Sequence, residues 1–430
     1  MIPTFVFDKK YHTVPDQFAA CDPYYCNKIE YLPNIATGTP DSGIEGHGSM
    51  FVDIFYSNTP YKTMLSSDIT DETNLYYLIE PWPLFNGLKE QYGDEIVMPL
   101  NWHLVLKHIP EKILMLARDY RLTILFHIPE YTSGIHAVEY RIKTTRLALG
   151  VPETQFKFIS SNRTPEWYYW PGFEYSQFLC YNRVPKVTEI NLKQRNKKFT
   201  CLNRIDKIHR RYIAMNLWLR GLDKDGYFSY TFGRFTHKGL GKGNINSEVP
   251  YMDGDWQIDD GDWRRFYNEG PYIADQLSIY EHNDHWHVET QHFNDSYWNF
   301  VTETSISDET CMTEKIFKPI ANLQPFVVFG SYKTLETLHD LGYKTFHGFI
   351  DETYDSIIDH EIRIKLATDQ AIKLATMSHH EHIKLMHQLQ PILEHNQKHF
   401  FSSKYRMKEF VKYIKNGDPA YNWLRDCIYD

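Results

Sequence analysis

The residues with the clearest chemical potential stand together in the C-terminal half of the chain. Thr313, Glu314 and Lys315 are consecutive, and the apolar spacing after them predicts a helix through Ile320 with Thr313 as its cap. A carboxylate at a helix start can accept hydrogen bonds from two hydroxyl groups, and an adjacent lysine can reach a phosphate. The free N–H groups and the partial positive charge of the helix start also favour an anion. Alone, the three residues are also typical of a simple helix cap. Together with the buried strand predicted at residues 325–330, they predict a site for a ligand that carries hydroxyl and phosphate groups.

A second group of polar and basic residues follows a predicted strand at residues 199–203. Asn203, Arg204, Lys207 and Arg210 occupy the turn from that strand into the next helix. Anions bind at strand-to-helix turns of α/β sheets, and arginine can hold two phosphate oxygens at once. Arg204 and Arg210 are both candidates for that role. Ser229, after the next short strand, is a further candidate contact with the same ligand.

These residues need elements that bring them together, and the chain shows alternating strand and helix patterns. Short apolar runs predict strands at residues 75–79, 122–127, 156–160, 199–203, 325–330 and 343–346. Amphipathic spacing predicts helices at residues 111–119, 137–149, 205–219, 313–320 and 334–341, and a mostly helical chain from about residue 359. Residues 236–300, which are rich in Trp, Gly, Asp and His, are predicted to be loops. The alternation implies βαβ units and parallel sheets.

The length and the composition predict two domains. A chain of 430 residues can form two separate cores, and the polar, basic run at residues 193–198 has the composition of a linker. We predict a Rossmann-like domain at residues 1–190, a second Rossmann-like domain at residues 191–400, and helices at residues 401–430 that pack back on the first. Ligands of such sheets bind at the carboxyl ends of the strands.

One stretch of the chain resembles a known family of enzymes. Residues 307–355 are similar to the donor-binding motif of GT-B glycosyltransferases, especially the α-1,3-fucosyltransferase family. Thr313-Glu314-Lys315 opens a helix in that motif, and a strand like that of residues 325–330 follows it. The longer pattern, through residues 344–346 and 351–355, resembles a group of uncharacterised phage and bacterial proteins related to those enzymes. The resemblance covers about residues 199–232 and 300–365.

The resemblance implies a GT-B fold, in which two Rossmann-like domains face a cleft. It also implies transfer of a hexose or pentose from a UDP- or GDP-sugar to a hydroxyl group of an acceptor bound by the first domain. Glu314 would hold the ribose of the donor and Lys315 its pyrophosphate, with Arg204 or Arg210 on the phosphates. The nucleotide-sugar would bind as a co-substrate, so that no tightly bound cofactor and no metal are expected.

Transfer with inversion of stereochemistry requires a base for the acceptor hydroxyl, and in this fold the base usually comes from the N-terminal domain. Glu45 and His47 are candidates because they lie in a Gly-rich run, where the backbone can approach a ligand closely. Glu130, which follows the strand predicted at residues 122–127, is the rival. A retaining enzyme can do without such a base.

The acceptor stays open between a glycan and a hydroxymethylated base in phage DNA. The net charge of −9 argues against a general nucleic-acid binder. DNA would therefore need a local basic groove, for which the chain offers Lys193, Arg195, Lys197 and Lys198.

Two other classes of protein can be compared with a transferase. A non-catalytic carbohydrate-binding protein is the alternative, because aromatic residues make up 16% of the chain and their rings can stack on sugars. A nucleotide-sugar epimerase or dehydrogenase is disfavoured, since the first strand–helix unit has no dinucleotide-binding loop.

Two patterns look like metal sites, and we expect neither to bind metal. Carboxylates at residues 253–262 lie in a Gly/Asp/Trp loop with no strand before them. The histidines at positions 282, 285, 287 and 292 lack partner cysteines and a helical His spacing. No apolar run reaches about 18 residues, so no membrane span is expected. The N-terminus lacks the pattern of a signal peptide, and the six scattered cysteines favour a cytoplasmic setting, the host cytoplasm for a phage protein.

Overall fold

The structure, a computed structural model, describes residues 4–7, 62–79, 99–128, 134–162, 168–169, 174, 185–203, 206–232, 259–274 and 288–403. The chain divides into two compact units, Met1–Cys180 with Ser403–Asp430, and Tyr181–Ser402. The strands in both units are parallel and alternate with helices, so the fold class is α/β. The prediction of parallel sheets built from strand–helix units is confirmed.

The first unit carries a parallel sheet, which has six strands within the described ranges. The strands are β1 (Thr4–Phe7), β2 (Lys62–Leu65), β3 (Leu75–Ile79), β4 (Leu122–Ile128), β5 (Phe156–Ser160) and β6 (Tyr168–Tyr169). They lie in the order β2-β1-β3-β4-β5-β6. Two α-helices are described in this unit, α1 (Glu111–Arg118) and α2 (Ile135–Ala148), and a 3-10 helix spans Pro99–His108.

The core of the first unit explains why its strands could be predicted. All side chains of β3 and all but one of β4 are buried, because helices cover both faces of a parallel sheet and leave continuous apolar runs. Helix α1 buries Ile113, Leu114, Leu116 and Ala117, at the spacing of one helix face. The strands predicted at 75–79, 122–127 and 156–160 and the helices at 111–119 and 137–149 are confirmed, with ends displaced by two residues or fewer.

The second unit carries a smaller parallel sheet, with four strands in the part of the chain that is described. The strands are β7 (Lys197–Asn203), β8 (Gly226–Tyr230), β9 (Ser296–Thr302) and β10 (Phe326–Phe329), in the order β10-β9-β7-β8. The helices are α3 (Ile208–Leu219), α4 (Asp260–Glu269), α5 (Thr290–Asp295), α6 (Glu314–Ala321), α7 (Thr334–Asp340), α8 (His360–Thr376) and α9 (His379–Phe401).

Both sheets begin with the same strand arrangement. The first strand of each sheet has the second strand on one side and the third on the other, as β1 lies between β2 and β3, and β7 between β8 and β9. The connections that follow β7 and β9 therefore leave in opposite directions, and a crevice opens between the carboxyl ends of these two strands. Such a topological switch point is the usual ligand site of an open α/β sheet.

Strand β9 corrects the prediction that residues 236–300 are loops. Where this region is described, it contains α4, α5 and the beginning of β9. Strand β9 is paired on one side with β7 and on the other with β10, and six of its seven side chains are buried. Its Tyr, Trp and Asn residues match the polar, aromatic composition of the preceding region, so its two strand neighbours decide that it is a strand.

A second correction concerns residues 343–346, which form no strand. Asn396 on α9 accepts a hydrogen bond from the backbone N–H of Lys344 at 2.8 Å and donates one to its carbonyl at 2.8 Å. A side-chain amide thus takes the place of a neighbouring strand. Tyr343 and Phe346 are buried, which accounts for the apolar residues on which the strand prediction rested.

The helical C-terminal region is confirmed within the described residues. Helix α8 packs against α3 and β10, and α9 packs against α6. Asp359 caps α8, and Ser378 and Glu381 form a capping box at the start of α9. None of the helices in the described ranges is long and apolar enough to cross a membrane.

Candidate functional site

The switch point of the second unit brings the two predicted groups of residues together. Lys207 precedes α3, and its Nζ donates a hydrogen bond to the carbonyl of Thr304 at 2.6 Å. Lys315 lies in the first turn of α6, and its Nζ is 3.4 Å from the Thr304 hydroxyl. Thr304 is the second residue after β9, so the two lysines lie at the carboxyl edge of the sheet.

Three positive charges act on one another at this edge. Burial lowers the pKa of Lys207, and the charges of Arg210 and Lys315 lower it further, while Cys311 opposes the shift. The hydrogen bonds agree with this proximity, because Lys207 and Lys315 both reach Thr304 and Arg210 reaches the carbonyl of the preceding residue. A negatively charged ligand between the three side chains would offset their mutual repulsion.

Arg210 also joins the start of α3 to the end of β9. Its Nη2 donates to the carbonyls of Thr302 at 3.3 Å and Glu303 at 3.0 Å, and its residue is only 5% exposed. His209 lies beside it with Nε2 2.9 Å from the Glu303 carbonyl. Burial, together with the charge of Arg210, lowers the pKa of His209 to about 3. The neutral His209 ring therefore carries its hydrogen on Nε2 and donates it to Glu303.

The carboxylate of Glu303 is a part of the site that the sequence analysis missed. Glu303 is fully buried immediately after β9, and it accepts hydrogen bonds from the backbone N–H of Thr313 at 3.2 Å and from its hydroxyl at 2.5 Å. Burial raises its pKa, whereas the charge of Lys315 and the bonds from Thr313 lower it, and Glu314 adds to the rise. The available signal was a carboxylate directly after a buried strand, and it depended on recognising β9.

The start of α6 has the form that the sequence predicted. Thr313 is the N-cap, and its hydroxyl accepts a long hydrogen bond of 3.4 Å from the N–H of Lys315. The Nζ of Lys315 donates to Glu314 Oε1 at 2.8 Å and to the Thr313 hydroxyl at 3.1 Å. The side chains of Glu314 and Lys315 are 15% and 32% exposed, so both are open to a ligand in the crevice.

Of the remaining predicted contacts, the structure describes Asn203 and Ser229. Asn203 is buried and accepts a hydrogen bond of 2.7 Å from the Thr302 hydroxyl, which ties β7 to β9 at the carboxyl edge. Ser229 is buried in β8, paired in register with Leu202. The ligand contacts of Asn203 and Ser229 stay predictions. The other four predicted site residues, Glu45, His47, Glu130 and Arg204, lie outside the described residues.

The basic run at residues 193–198 is part of the packed unit and not a linker groove. Arg195 is 2% exposed, and its guanidinium donates to the carbonyls of Asn191, Phe293 and Ser296. Lys198 pairs with Asp225 at 3.0 Å. Lys197 donates to the Lys224 carbonyl at 2.7 Å, whereas Lys193 is exposed. Three of the four basic side chains are therefore held by neighbouring carbonyls or a carboxylate. The prediction that Arg195 could line a DNA groove is wrong.

Two metal-like patterns have other roles where they are described. Asp259 caps α4 by accepting hydrogen bonds from the N–H groups of Gly261 at 2.8 Å and Asp262 at 3.1 Å, so this part of the Asp-rich segment begins a helix. His292 is buried, with its ring 4.2 Å from that of Tyr227. Among the described residues, no group of three or more His, Cys, Asp or Glu side chains could hold a metal ion. The carboxylates before Asp259 and the other histidines of the predicted group lie outside the described residues.

A cavity of about 420 Å³ lies at the other edge of the second sheet. It is lined by Glu189, Leu323, Glu394, Lys398 and Phe401, among others. Leu323 precedes β10, so this cavity faces the amino ends of the strands. Ligands of α/β sheets bind at the carboxyl ends, and the cationic switch point is therefore the better candidate.

Comparison with known proteins does not change this assignment. No family model, no curated protein and no solved structure matches the chain. Lys207, Arg210 and Lys315 form a cationic cluster beside a helix start that also presents the carboxylate of Glu314. This arrangement suits a ligand with a phosphate group next to free hydroxyl groups.

Proposed function

We propose that the chain is a glycosyltransferase of the GT-B type, and that its second unit holds the diphosphate of a nucleotide-sugar at the switch point. The observation that carries the proposal is the convergence of Lys207, Arg210 and Lys315 at the carboxyl ends of β7 and β9. The two units with parallel sheets of the same initial strand order support a GT-B arrangement.

The diphosphate accounts for the charge of the site. A bound diphosphate carries about two negative charges next to a helix start, and its oxygens can each accept charge-assisted hydrogen bonds. Lys207 and Lys315 present ammonium groups on either side of Thr304. Their attraction for the ligand would replace the repulsion that lowers the pKa of Lys207.

The carboxylate of Glu314 accounts for the nucleoside part of the ligand. It lies beside the Nζ of Lys315 at 2.8 Å and is partly exposed. A ribose carries two neighbouring hydroxyl groups, and one carboxylate can accept both hydrogens. Glu314 and Lys315 would therefore bind the ribose and the adjacent phosphates of one ligand.

Sugar transfer then follows from stabilisation of the leaving group. As the bond between the sugar and the phosphate breaks, a negative charge develops on the diphosphate, and fixed cations in a partly buried site stabilise that charge. The acceptor hydroxyl attacks the sugar and loses its proton to a base or to solvent. We assign the acceptor to the first unit, with Glu45, His47 and Glu130 as the candidate bases.

A glycan is the acceptor that we favour over DNA. The basic run that would line a DNA groove is used within the second unit, where Arg195 is buried and Lys198 pairs with Asp225. DNA binding that weakens steeply with added salt would contradict this choice.

The test is a thermal-shift and calorimetric comparison of UDP, GDP and their sugar conjugates with free sugars. A ligand at about 100 times its Kd stabilises the folded state by about 2.7 kcal/mol, and we expect one nucleotide to raise the Tm accordingly. Lys315→Ala should abolish that rise. Lys333→Ala is the matched control, since Lys333 also stands at a helix start and pairs with a glutamate of its own helix, Glu336.

Two outcomes would contradict the proposal. Stabilisation by free sugars but not by nucleotides would favour a carbohydrate-binding protein. A nucleotide shift that survives Lys315→Ala would move the ligand away from the switch point. Release of the nucleoside diphosphate from the stabilising sugar conjugate then tests turnover directly.

A further inference from the structure

Glu303 connects the elements that form the switch point. Its backbone N–H donates to the Phe329 carbonyl at 2.9 Å, and its own carbonyl accepts from Arg210 and His209. Its carboxylate holds both the N–H and the hydroxyl of Thr313. One residue thus joins β9 to β10, to α3 and to the start of α6.

The side chain of Glu303 has little room to move. A Cβ atom at Gly330 would lie 3.3 Å from the Glu303 Cγ and 3.0 Å from the Val328 Cγ1. Such distances are tighter than ordinary van der Waals contact, so the glycine leaves the space that the carboxylate stem fills. The buried stem packs against Gly330, and the two hydrogen bonds from Thr313 hold the carboxylate at its end.

The charge of Glu303 determines the net charge of the described cluster. Lys315 and Glu314 from α6 act on its carboxylate. His209 and Arg210 from α3 hold its backbone carbonyl, and Lys207 holds that of the next residue, Thr304. His209 is neutral, so the cluster holds three cations and two carboxylates. The cluster carries one net positive charge while Glu303 is ionised and two when Glu303 is protonated.

We propose that Glu303 is a positioning residue that takes up a proton from solvent when a diphosphate binds at Lys207, Arg210 and Lys315. The inference rests on the proposed diphosphate site. An anion among the three cations disfavours a second negative charge beside them, and by linkage a neutral Glu303 favours the anion to the same extent.

Proton uptake also changes which group donates at the helix start. The ionised carboxylate accepts the hydroxyl hydrogen of Thr313. A protonated Glu303 donates its own hydrogen to the Thr313 oxygen instead. The Thr313 hydroxyl hydrogen is then available to an oxygen of the ligand, and the contact that holds the start of α6 is kept.

The surroundings of Glu303 act in the same direction. Burial raises its pKa and Glu314 raises it further, whereas Lys315 and the bonds from Thr313 oppose the rise. A bound diphosphate adds negative charge, which acts on the pKa of Glu303 in the same direction as Glu314 does. Binding should therefore shift Glu303 towards its protonated form.

The test is isothermal titration calorimetry of inorganic pyrophosphate into the full chain, in buffers of different ionisation enthalpy at one pH. The dependence of the measured heat on the buffer gives the number of protons taken up. We expect the wild type to take up more protons than Glu303→Gln, by up to about one per site. The logarithm of its affinity should also fall more steeply with pH than that of Glu303→Gln, by up to about one unit per pH unit.

Asp355→Asn is the matched control, because Asp355 is a second buried carboxylate that caps a helix. It accepts from the N–H groups of Leu335 at 2.9 Å and Glu336 at 3.0 Å, at the start of α7. This variant should keep the proton uptake of the wild type, because Asp355 lies at the start of α7 and not at the start of α6. Pyrophosphate itself takes up protons equally in all variants, so its contribution cancels from the difference.

Three further outcomes separate the inference from the proposed function. Equal proton uptake by wild type and Glu303→Gln, with pyrophosphate still bound, overturns the role of Glu303 alone. Failure of pyrophosphate and nucleotides to bind the wild type overturns the proposed function as well. If Glu303→Gln does not fold, Thr313→Val serves instead, because it removes one hydrogen bond to the ionised carboxylate. The pH dependence of the affinity should then move to higher pH. If it does not move, the inference is overturned.

Discussion

Lys207 and Lys315, which are far apart in sequence, reach the same residue. The Nζ of Lys207 donates to the carbonyl of Thr304 at 2.6 Å, and the Nζ of Lys315 lies 3.4 Å from its hydroxyl. Thr304 follows the central strand β9, and the two lysines belong to the segments that follow β7 and β9. The connections that leave these two parallel strands in opposite directions thus bring the two cations together.

The pH dependence of ligand binding should report Lys207. Its pKa is lowered by burial and by its two cationic neighbours, so it loses its charge at a lower pH than an ordinary lysine. Anion affinity should fall as the pH rises through that lowered pKa, by about tenfold or more for one charge-assisted hydrogen bond. Lys207→Arg keeps its charge at alkaline pH, and calorimetry with pyrophosphate should show a much smaller loss. An identical alkaline loss in both proteins would assign the titration elsewhere.

Acid sensitivity should depend on His382. The residue is fully buried on α9, stacked 4.5 Å from the ring of Tyr297, and neither of its ring nitrogens has a hydrogen-bond partner among the described residues. Burial, together with the charges of Lys198 and His379, lowers its pKa to about 4.

An imidazole in an unfolded chain titrates at about pH 6.5, so the unfolded state binds the proton first as the pH falls. Stability that needs the neutral His382 ring is therefore complete above that pH and is lost towards about pH 4, by about 3 kcal/mol at most. His382→Phe keeps the stack, and urea unfolding should show a smaller loss between neutral pH and about pH 5. The exposed His380→Gln on the same helix should leave that loss unchanged.

Arg363 should be among the costliest side chains to remove. It is 2% exposed, and its guanidinium donates to the carbonyls of Gly330 at 3.1 Å, Ile306 at 2.6 Å and Ile357 at 2.6 Å. Arg363→Ala leaves these acceptors without their donor and should reduce the free energy of unfolding by about 3 kcal/mol or more. Arg220→Ala, which removes an exposed bond to Asn216 within one helix, should change it by less than about 0.5 kcal/mol in the same urea titration.

The segment at residues 343–346 should depend on one amide side chain. Asn396→Ala removes both hydrogen bonds to the backbone of Lys344, and the expected loss of unfolding free energy is about 2 kcal/mol. Asn396→Asp keeps an acceptor for the N–H but places an oxygen against the Lys344 carbonyl, so it should not restore stability. Gln390→Ala is the control, since its amide pairs only with Glu394 one turn away. A loss as large in the control would show that α9 is sensitive to any truncation.

The sequence by itself determined the elements whose buried side chains lie close together along the chain. The apolar runs of β3, β4 and β5 predicted strands because a parallel sheet is covered on both faces. The Thr313 cap and the basic turn after β7 were also local features, and they marked Lys207, Arg210 and Lys315 as ligand contacts before their distances were known.

Only the tertiary structure decided what depends on distant partners. Strand β9 is defined by its pairing with β7 and β10, and its recognition reveals Glu303. Arg195 lies in a run with the composition of a linker, but it is buried against the carbonyls of Phe293 and Ser296, about 100 residues away. The sequence predicts a strand at residues 343–346, but the side chain of Asn396 supplies the hydrogen-bond partner there. The local sequence indicates which side chains will be buried, whereas the topology determines which distant residues pack against them.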